Sequence, residues 1–210
     1  MRLVVAEDSV LLREGLVRLF AELGHDVVAA IGTAPDLIAA VERHQPDVAV
    51  TDVRMPPTHT DDGLRAAQAI RATSETGLLV LSQWVEVEAA RELLRDGRGG
   101  VGYLLKDRVQ DLATIAAAIE AIAHHQMMVD PQVIGQLGVS GGGLERLSAR
   151  ESEVLALMAQ GRSNAAIGEQ LVISLGAVEK HIAAIFNKLD LPASPDDHRR
   201  VLAVLRYLGG

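Results

Sequence analysis

Up to Ala123 the chain alternates between short apolar runs rich in β-branched residues and longer segments with apolar residues at helical spacing. This alternation restricts the fold, because strands joined by helical crossovers pair in parallel and form a sheet with helices on both faces. We therefore predict an α/β fold, a doubly wound five-stranded parallel sheet. The predicted strands are Leu3 to Ala6, Asp26 to Ile31, Val48 to Thr51, Leu78 to Ser82 and Val101 to Leu105.

The alternation fades after His124, and the segment Gly138 to Gly143 is rich in glycine. That composition is typical of a flexible linker. A length of 210 residues leaves room for two ordinary domains. We therefore expect one domain at 1–124 and a second at 144–210, joined by a linker at 125–143.

Capping signals predict that the second domain is small and all-α. Ser148 and Glu151 have capping-box spacing before an apolar helical stretch. Ser163 and Ser174 can each cap a further helix. A tight turn at 172–173 between those two helices gives the helix-turn-helix arrangement.

Composition narrows the possible functions. The formal charge of -8 argues against nucleic-acid binding by the whole chain, but residues 144–210 carry eight basic and eight acidic residues and are neutral. The chain has no cysteine, which excludes disulfides and thiolate metal sites. Because neither a signal peptide nor a membrane-spanning apolar run is found, we expect a soluble, cytoplasmic protein with no membrane partner.

Charged side chains stand at the ends of three predicted strands. Glu7 and Asp8 follow the first strand and Asp52 follows the third, while Lys106 follows the fifth. Because parallel strands end at one edge of the sheet, these groups can converge on one crevice. They could hold a divalent cation, present Asp52 as a nucleophile and neutralise a phosphoryl group with Lys106. Ser82, which ends the fourth strand, could donate a hydrogen bond to a phosphoryl oxygen.

Each of these residues also has an ordinary structural interpretation. An isolated acid after a strand is usually a turn residue or a helix cap, as Asp8 would be with Ser9. Lys106 alone would more often be a solvated surface lysine, and Ser82 alone a turn former. The joint pattern at four strand ends favours the functional interpretation.

Two sets of motifs follow one another along the chain. The first set is Glu7-Asp8, Asp52 with Met55-Pro56, Ser82 and Tyr103-Leu-Leu-Lys106. The second set is Leu147-Ser-Ala-Arg-Glu151, Gly161-Arg-Ser-Asn164, Ile167 and Val178-Glu-Lys-His181. The first resembles the receiver domain of two-component response regulators, which is flavodoxin-like, and the second is similar to the LuxR-type helix-turn-helix. Together they resemble the NarL/FixJ class of transcription factors.

The resemblance implies that Asp52 accepts a phosphoryl group from a sensor histidine kinase. It also implies that Glu7, Asp8 and Asp52 hold Mg²⁺, with the backbone carbonyl of Arg54 as a further ligand. Lys106 would then pair with Asp52 before transfer and with the phosphoryl group afterwards.

The resemblance further implies a switch made of Ser82 and Tyr103, in which the serine turns toward the phosphoryl group and the aromatic ring rotates inward. Such coupling is a two-state equilibrium biased by one local charge. The expected partners are the kinase, promoter DNA, a second copy of the chain in a homodimer formed on phosphorylation, and RNA polymerase.

For the recognition helix, two side chains have open roles. Glu179 could accept a hydrogen bond from a cytosine amine or form a salt bridge within the helix, and His181 could touch a phosphate or pack at the helix edge. The final helix, near 197–208, resembles the family's dimerisation helix, although a role in the domain's own core is the alternative. The predicted DNA-binding residues are Arg162, Ser163, Glu179, Lys180, His181, Ala183 and Lys188.

The segment Pro57 to Asp62 is longer than the usual family loop. We expect an exposed loop, with contact of His59 or Asp61 with the crevice as the alternative. Trp84, the only tryptophan, is expected to be partly exposed after Ser82.

Two other functions are weighed. A metal-dependent phosphohydrolase with Asp52 as nucleophile would need a second acid, and Arg54 stands two residues on instead. A regulator that works by protein interaction without phosphate is disfavoured because all expected pocket residues are present. We therefore expect a transcription factor and not an enzyme.

Overall fold

The structure, a computed structural model, describes residues 1–94, 98–136, 143–191 and 199–209. The chain divides into two compact units. One comprises Met1–Leu93 with Gly100–Met128, and the other comprises Leu94–Gly99 with Val129–Gly210. Among the described residues, no helix combines the length and apolar character needed to cross a bilayer.

A sheet forms the centre of the first unit. Its strands are β1 (Arg2–Ala6), β2 (Asp26–Ile31), β3 (Val48–Asp52), β4 (Gly77–Ser82), β5 (Val101–Leu105) and β6 (Met127–Val129). The order across the sheet is β2-β1-β3-β4-β5-β6, and the four pairs from β2 to β5 are parallel. The predicted α/β fold is confirmed, with one strand more than the sequence pattern indicated.

The extra strand lies in the segment predicted to be a linker, 125–143. That segment contains β6 and then α6 (Pro131–Gln136), while 137–142 lies outside the described residues. A three-residue strand is too short to show a periodicity, and proline at a helix start is easily read as a loop signal. The domain boundaries themselves stay a prediction.

Helices pack against the sheet and complete the core. The main buried cluster joins alternate residues of the strands, such as Leu3 and Val5, to Phe20 and Ile119 from two of the helices. The helices are α1 (Val10–Glu22), α2 (Ala34–His44), α3 (Asp62–Thr73), α4 (Val87–Leu94) and α5 (Leu112–Ala123), with a 3₁₀ turn at Lys106–Gln110.

Strand order places the polar strand ends together. The chain leaves β1 toward one neighbour, β2, and reaches its other neighbour, β3, only after a second crossover, so the switch point lies between β1 and β3. Ala6 pairs with Thr51 in register, which sets Glu7 beside Asp52. Gly63 allows α3 to start directly against β3, because a Cβ there would lie 1.8 Å from the Asp52 carbonyl oxygen.

The second unit contains a helical domain with the predicted caps. The Ser148–Glu151 capping box is formed, and the hydroxyls of Ser163 and Ser174 accept from backbone N–H groups three residues on. The helices are α7 (Ala149–Ala159), α8 (Asn164–Leu171), α9 (Leu175–Lys188) and α10 (Arg199–Gly209). The predicted helix-turn-helix is therefore α8, the turn, and α9.

The final helix belongs to the core of this domain. Val201, Val204 and Leu205 are buried, and α10 contacts α7 and α9. The Arg206 guanidinium also donates to the Leu189 carbonyl at the end of α9. These residues of α10 therefore pack in the core of their own domain, which is the alternative to a dimerisation helix.

A close approach within the helix-turn-helix depends on Gly168. A Cβ at this position would lie 2.9 Å from the Ile173 carbonyl oxygen. We expect Gly168→Ala to destabilise the helical domain by about 1–3 kcal/mol, because backbone atoms must shift. The matched control is Gly176→Ala, since nothing lies within 4 Å of that added methyl group. The control should be neutral or stabilising by up to about 1 kcal/mol.

Amide hydrogen exchange in α7 to α9 of the full chain measures both variants, because it isolates the stability of this domain. Equal protection in the two variants would contradict the steric argument.

Candidate functional site

Three carboxylates meet at the switch point. Glu7 and Asp52 are buried, with 1% and 7% of their surfaces exposed, and Asp8 is half-buried beside them. One oxygen from each residue lies within 4.8 Å of the other two. The sequence prediction that these acids converge agrees with this geometry.

Lys106 neutralises part of this charge. Its Nζ lies 2.7 Å from Glu7 Oε2 and 2.7 Å from Asp52 Oδ2. Burial alone would lower the pKa of Lys106, but the hydrogen bonds to Asp52 and Glu7 outweigh it and raise the pKa, so the amine is charged. For Glu7, burial is the largest influence and raises the pKa of the carboxyl, although the nearby Lys106 amine acts to lower it.

The donor set fits Mg²⁺. A small number of carboxylate oxygens is what this ion takes from proteins, with water and phosphate oxygens completing its coordination. The three acids exceed the one charge of Lys106, so a divalent cation would find net negative charge there. The N–H of Arg54 donates to Asp52 Oδ1 at 3.3 Å, while ligation by the Arg54 carbonyl stays a prediction.

Ser82 and Tyr103 lie on neighbouring strands behind Asp52. Ser82 is 1% exposed and the Tyr103 ring is fully buried, so the ring already has the inward position. Trp84 connects the two, because its N–H donates to Ser82 Oγ at 3.3 Å and its carbonyl accepts from the Tyr103 hydroxyl at 3.4 Å. Burial raises the pKa of the Tyr103 phenol, which keeps the hydroxyl protonated and able to donate.

The long loop after β3 reaches the rim of the crevice through one residue. Residues 57–60 are exposed, as expected, yet His59 Nδ1 lies 3.4 Å from Asp8 Oδ2. The Asp62 carboxylate organises the loop by accepting from the backbone and hydroxyl of Thr58. Asp61 is turned away and pairs with Arg65, so of the two residues considered only His59 makes the contact.

Sequence patterns missed one rim residue, Glu86. Its carboxylate accepts from Arg54 Nε at 3.1 Å and lies 3.0 Å from Arg54 Nη2. The pair joins the loops that follow β3 and β4. No local signal could reveal a contact between residues so far apart in sequence.

The outer face of α9 carries most of the predicted DNA-binding residues. Glu179, Lys180 and Ala183 are exposed and His181 is half-buried. No ion pair of Glu179 is found within the described residues, so the predicted salt bridge in the helix is not formed there. Arg162 is also exposed, before the start of α8.

Lys188 has a different place from the one predicted. Its Nζ lies 2.6 Å from Glu151 Oε2, in the capping box of α7, so its charge is engaged within the domain. Burial would raise the pKa of Glu151, but the hydrogen bonds from Lys188 and Ser148 outweigh it and hold the pKa below its ordinary value. Helical periodicity identifies the face of a residue but not its partner on another helix, which explains the difference.

Comparisons with known proteins cover both units. A family model described as response regulator receiver domain matches residues 3–120, and one described as bacterial regulatory proteins, luxR family, matches residues 145–196. The chain is 35% identical over 199 residues to the probable transcriptional regulatory protein NarL of Mycobacterium tuberculosis, covering 90% of this chain and 87% of that one. It is 29% identical over 212 residues to the oxygen regulatory protein NreC of Staphylococcus carnosus, covering 93% and 94%.

A solved structure shares the fold. The RcsB response regulator of Salmonella typhimurium, from work on conformational dynamism for DNA interaction, superposes with a TM-score of 0.56 at 22% identity. The superposition covers 99% of this chain and 97% of that one.

Trp84 should report a rearrangement of Ser82 and Tyr103. If Ser82 turns toward a phosphoryl group on Asp52, its oxygen leaves the Trp84 N–H and the environment of the half-exposed indole changes. We expect the tryptophan emission to change when a small-molecule phosphodonor and Mg²⁺ are added, and not to change in Asp52→Asn. Unchanged emission in wild type, with one phosphoryl group per chain by mass, would contradict this coupling.

Proposed function

The chain belongs to the two-component response regulators of the NarL/FixJ class, and from this premise we propose that phosphorylation of Asp52 controls its binding to promoter DNA. It is a response regulator transcription factor of the NarL and NreC type, with a receiver domain and a LuxR-type DNA-binding domain. We place the receiver at 1–124 and the DNA-binding domain at 144–210. The observation that carries the proposal is the Lys106 amine held between Glu7 and Asp52.

Asp52 acts as the acceptor of a phosphoryl group from a phosphohistidine of the sensor kinase. A carboxylate oxygen of Asp52 forms a bond to phosphorus as the phosphorus–nitrogen bond breaks, and the departing imidazole takes up a proton. Mg²⁺ held by Glu7, Asp8 and Asp52 would offset the negative charge of the phosphoryl oxygens. Lys106 changes partner from the free carboxylate to the phosphoryl group.

Ser82 then donates to the phosphoryl group, and Tyr103 keeps its ring inward behind it. With the ring inward, the outward position of the Tyr103 ring is not occupied. Phosphorylation therefore favours one of two states of the loop after β4. The new state favours a homodimer.

DNA binding uses the face of α9. Lys180, His181 and Arg162 supply contacts to phosphates, Ser163 lies at the start of α8, and Glu179 is available to accept from a cytosine amine. Ala183 offers only apolar contact. Lys188 is left out of this set because Glu151 holds its amine.

A neutral DNA-binding domain binds weakly as a monomer, so two copies on paired half-sites provide useful affinity. This makes dimer formation the step through which the receiver acts on promoter binding. We place this action in the cytoplasm, with RNA polymerase as the further partner at the promoter.

The phosphohydrolase alternative is not favoured, because the relatives are named as regulatory proteins, residues 145–196 match the luxR family of regulatory proteins, and no acid lies two residues after Asp52. A regulator independent of phosphate is not favoured either, because the pocket is complete.

Asp52→Asn should abolish both phosphorylation and the gain in DNA binding. A small-molecule phosphodonor with Mg²⁺ is added to each protein, and intact mass, oligomeric state and retention of fragments from a genomic DNA library are followed together. Wild type should gain one phosphoryl group, dimerise and retain specific fragments, because its Asp52 oxygen is the nucleophile.

Asp61→Asn is the matched control, since this neighbouring carboxylate pairs with Arg65 outside the crevice, and it should behave like wild type. If Asp52→Asn and wild type retain the same DNA with the phosphodonor, Asp52 does not control DNA binding.

Lys180→Ala should weaken DNA binding and leave phosphorylation unchanged. Loss of one phosphate contact should make the slope of log affinity against log salt less steep by about 1. Arg146→Ala removes a positive charge from the same domain before α7, where the guanidinium pairs with Asp190, and it should retain the wild-type slope. A Lys180→Ala protein with wild-type affinity at every salt concentration would remove this residue from the interface.

A further inference from the structure

Arg13 on α1 holds the main chain of the loop that carries two of the three carboxylates. Its Nη1 donates to the Glu7 carbonyl oxygen at 2.6 Å and lies 3.4 Å from the Asp8 carbonyl oxygen. Neither carboxylate is touched. The guanidinium therefore binds the backbone of the loop between β1 and α1 and not the side chains of that loop.

The end of β2 leaves room for this guanidinium. A Cβ at Gly32 would lie 3.2 Å from Arg13 Nη1 and 3.9 Å from the Glu7 carbonyl oxygen. The backbone N–H of Glu7 is bonded as well, because it donates to the Ile31 carbonyl of β2 at 3.0 Å. The main chain of Glu7 is thus fixed at its N–H by β2 and at its carbonyl by Arg13.

We propose that Arg13 is a positioning residue for Mg²⁺, which fixes the carbonyls of Glu7 and Asp8 so that their side chains are already convergent with Asp52. The inference rests on the proposed function, because it assigns the metal to this cluster. Hydrogen-bond partners that orient metal ligands change metal affinity without contacting the ion.

Electrostatic repulsion and positioning by Arg13 change the Mg²⁺ affinity in opposite directions, so the direction of the change distinguishes them. A cation near a cation site repels the ion, so electrostatics alone predicts tighter Mg²⁺ binding when Arg13 is removed. Positioning predicts weaker binding. A role in stability alone predicts no change in a folded protein.

Isothermal titration of the unphosphorylated full chain with Mg²⁺ measures the affinity, and thermal unfolding in EDTA measures folding without metal. We expect Arg13→Met to bind Mg²⁺ about tenfold more weakly than wild type. Arg13→Lys should recover part of the loss, because one donor and the charge remain. Arg18→Met is the control, since Arg18 is exposed on the same helix and has no partner among the described residues.

Gly32→Ala provides a second variant in case Arg13→Met does not fold. Its methyl group would lie 3.2 Å from Arg13 Nη1, so the guanidinium must shift relative to the Glu7 carbonyl, and Mg²⁺ binding should weaken. Unchanged or tighter Mg²⁺ binding in a folded Arg13→Met or, where that variant does not fold, in Gly32→Ala would overturn the inference. If wild type itself binds no Mg²⁺ at millimolar concentration, the metal assignment of the proposed function fails instead.

Discussion

The contact of one amine with two buried carboxylates organises the receiver. Lys106 lies 2.7 Å from both Glu7 and Asp52, which come from strands on either side of the switch point. Without the amine, two acids would face each other in a buried crevice, and like charges at that distance are costly. With it, part of the carboxylate charge is offset, and the three acids still leave the net negative charge that a cation requires. The parallel sheet is what brings these three strand ends to one place.

The positions of these residues could be predicted because each follows an apolar strand, and strand ends share an edge in such a sheet. Contacts made by long side chains across loops could not be predicted in the same way. The contact of His59 with Asp8 depends on a loop folded around Asp62, and the contact of Arg54 with Glu86 depends on where two loops end. Such contacts depend on how the loops lie in the folded protein, which no local sequence pattern specifies.

The helical domain shows the same division between local and distant signals. Its helix starts were predictable because a capping serine acts within three residues, as Ser163 and Ser174 do. The outward face of α9 followed from periodicity. The position of Lys188 on the helix predicts a DNA contact, yet its amine binds Glu151 on α7. Burying a carboxylate without a partner costs free energy, and the ion pair with Lys188 removes this cost. Local patterns do not contain that requirement.

The construction of β4 and β5 limits how a charge change at Asp52 can spread. Lys106 follows β5 directly, and Ser82 at the end of β4 pairs with Leu105 in register. Both strands are fully buried and bonded to each other, so they cannot bend gradually without losing packing and hydrogen bonds. If Asp52 accepts a phosphoryl group as proposed, we therefore expect the movement in the segment just outside the ladder, which carries Trp84 and Glu86. Hydrogen bonds join the Trp84 backbone to the side chains of Ser82 and Tyr103, and an exposed ion pair joins Glu86 to Arg54. The ion pair is the weaker of these two attachments, because solvent screens it.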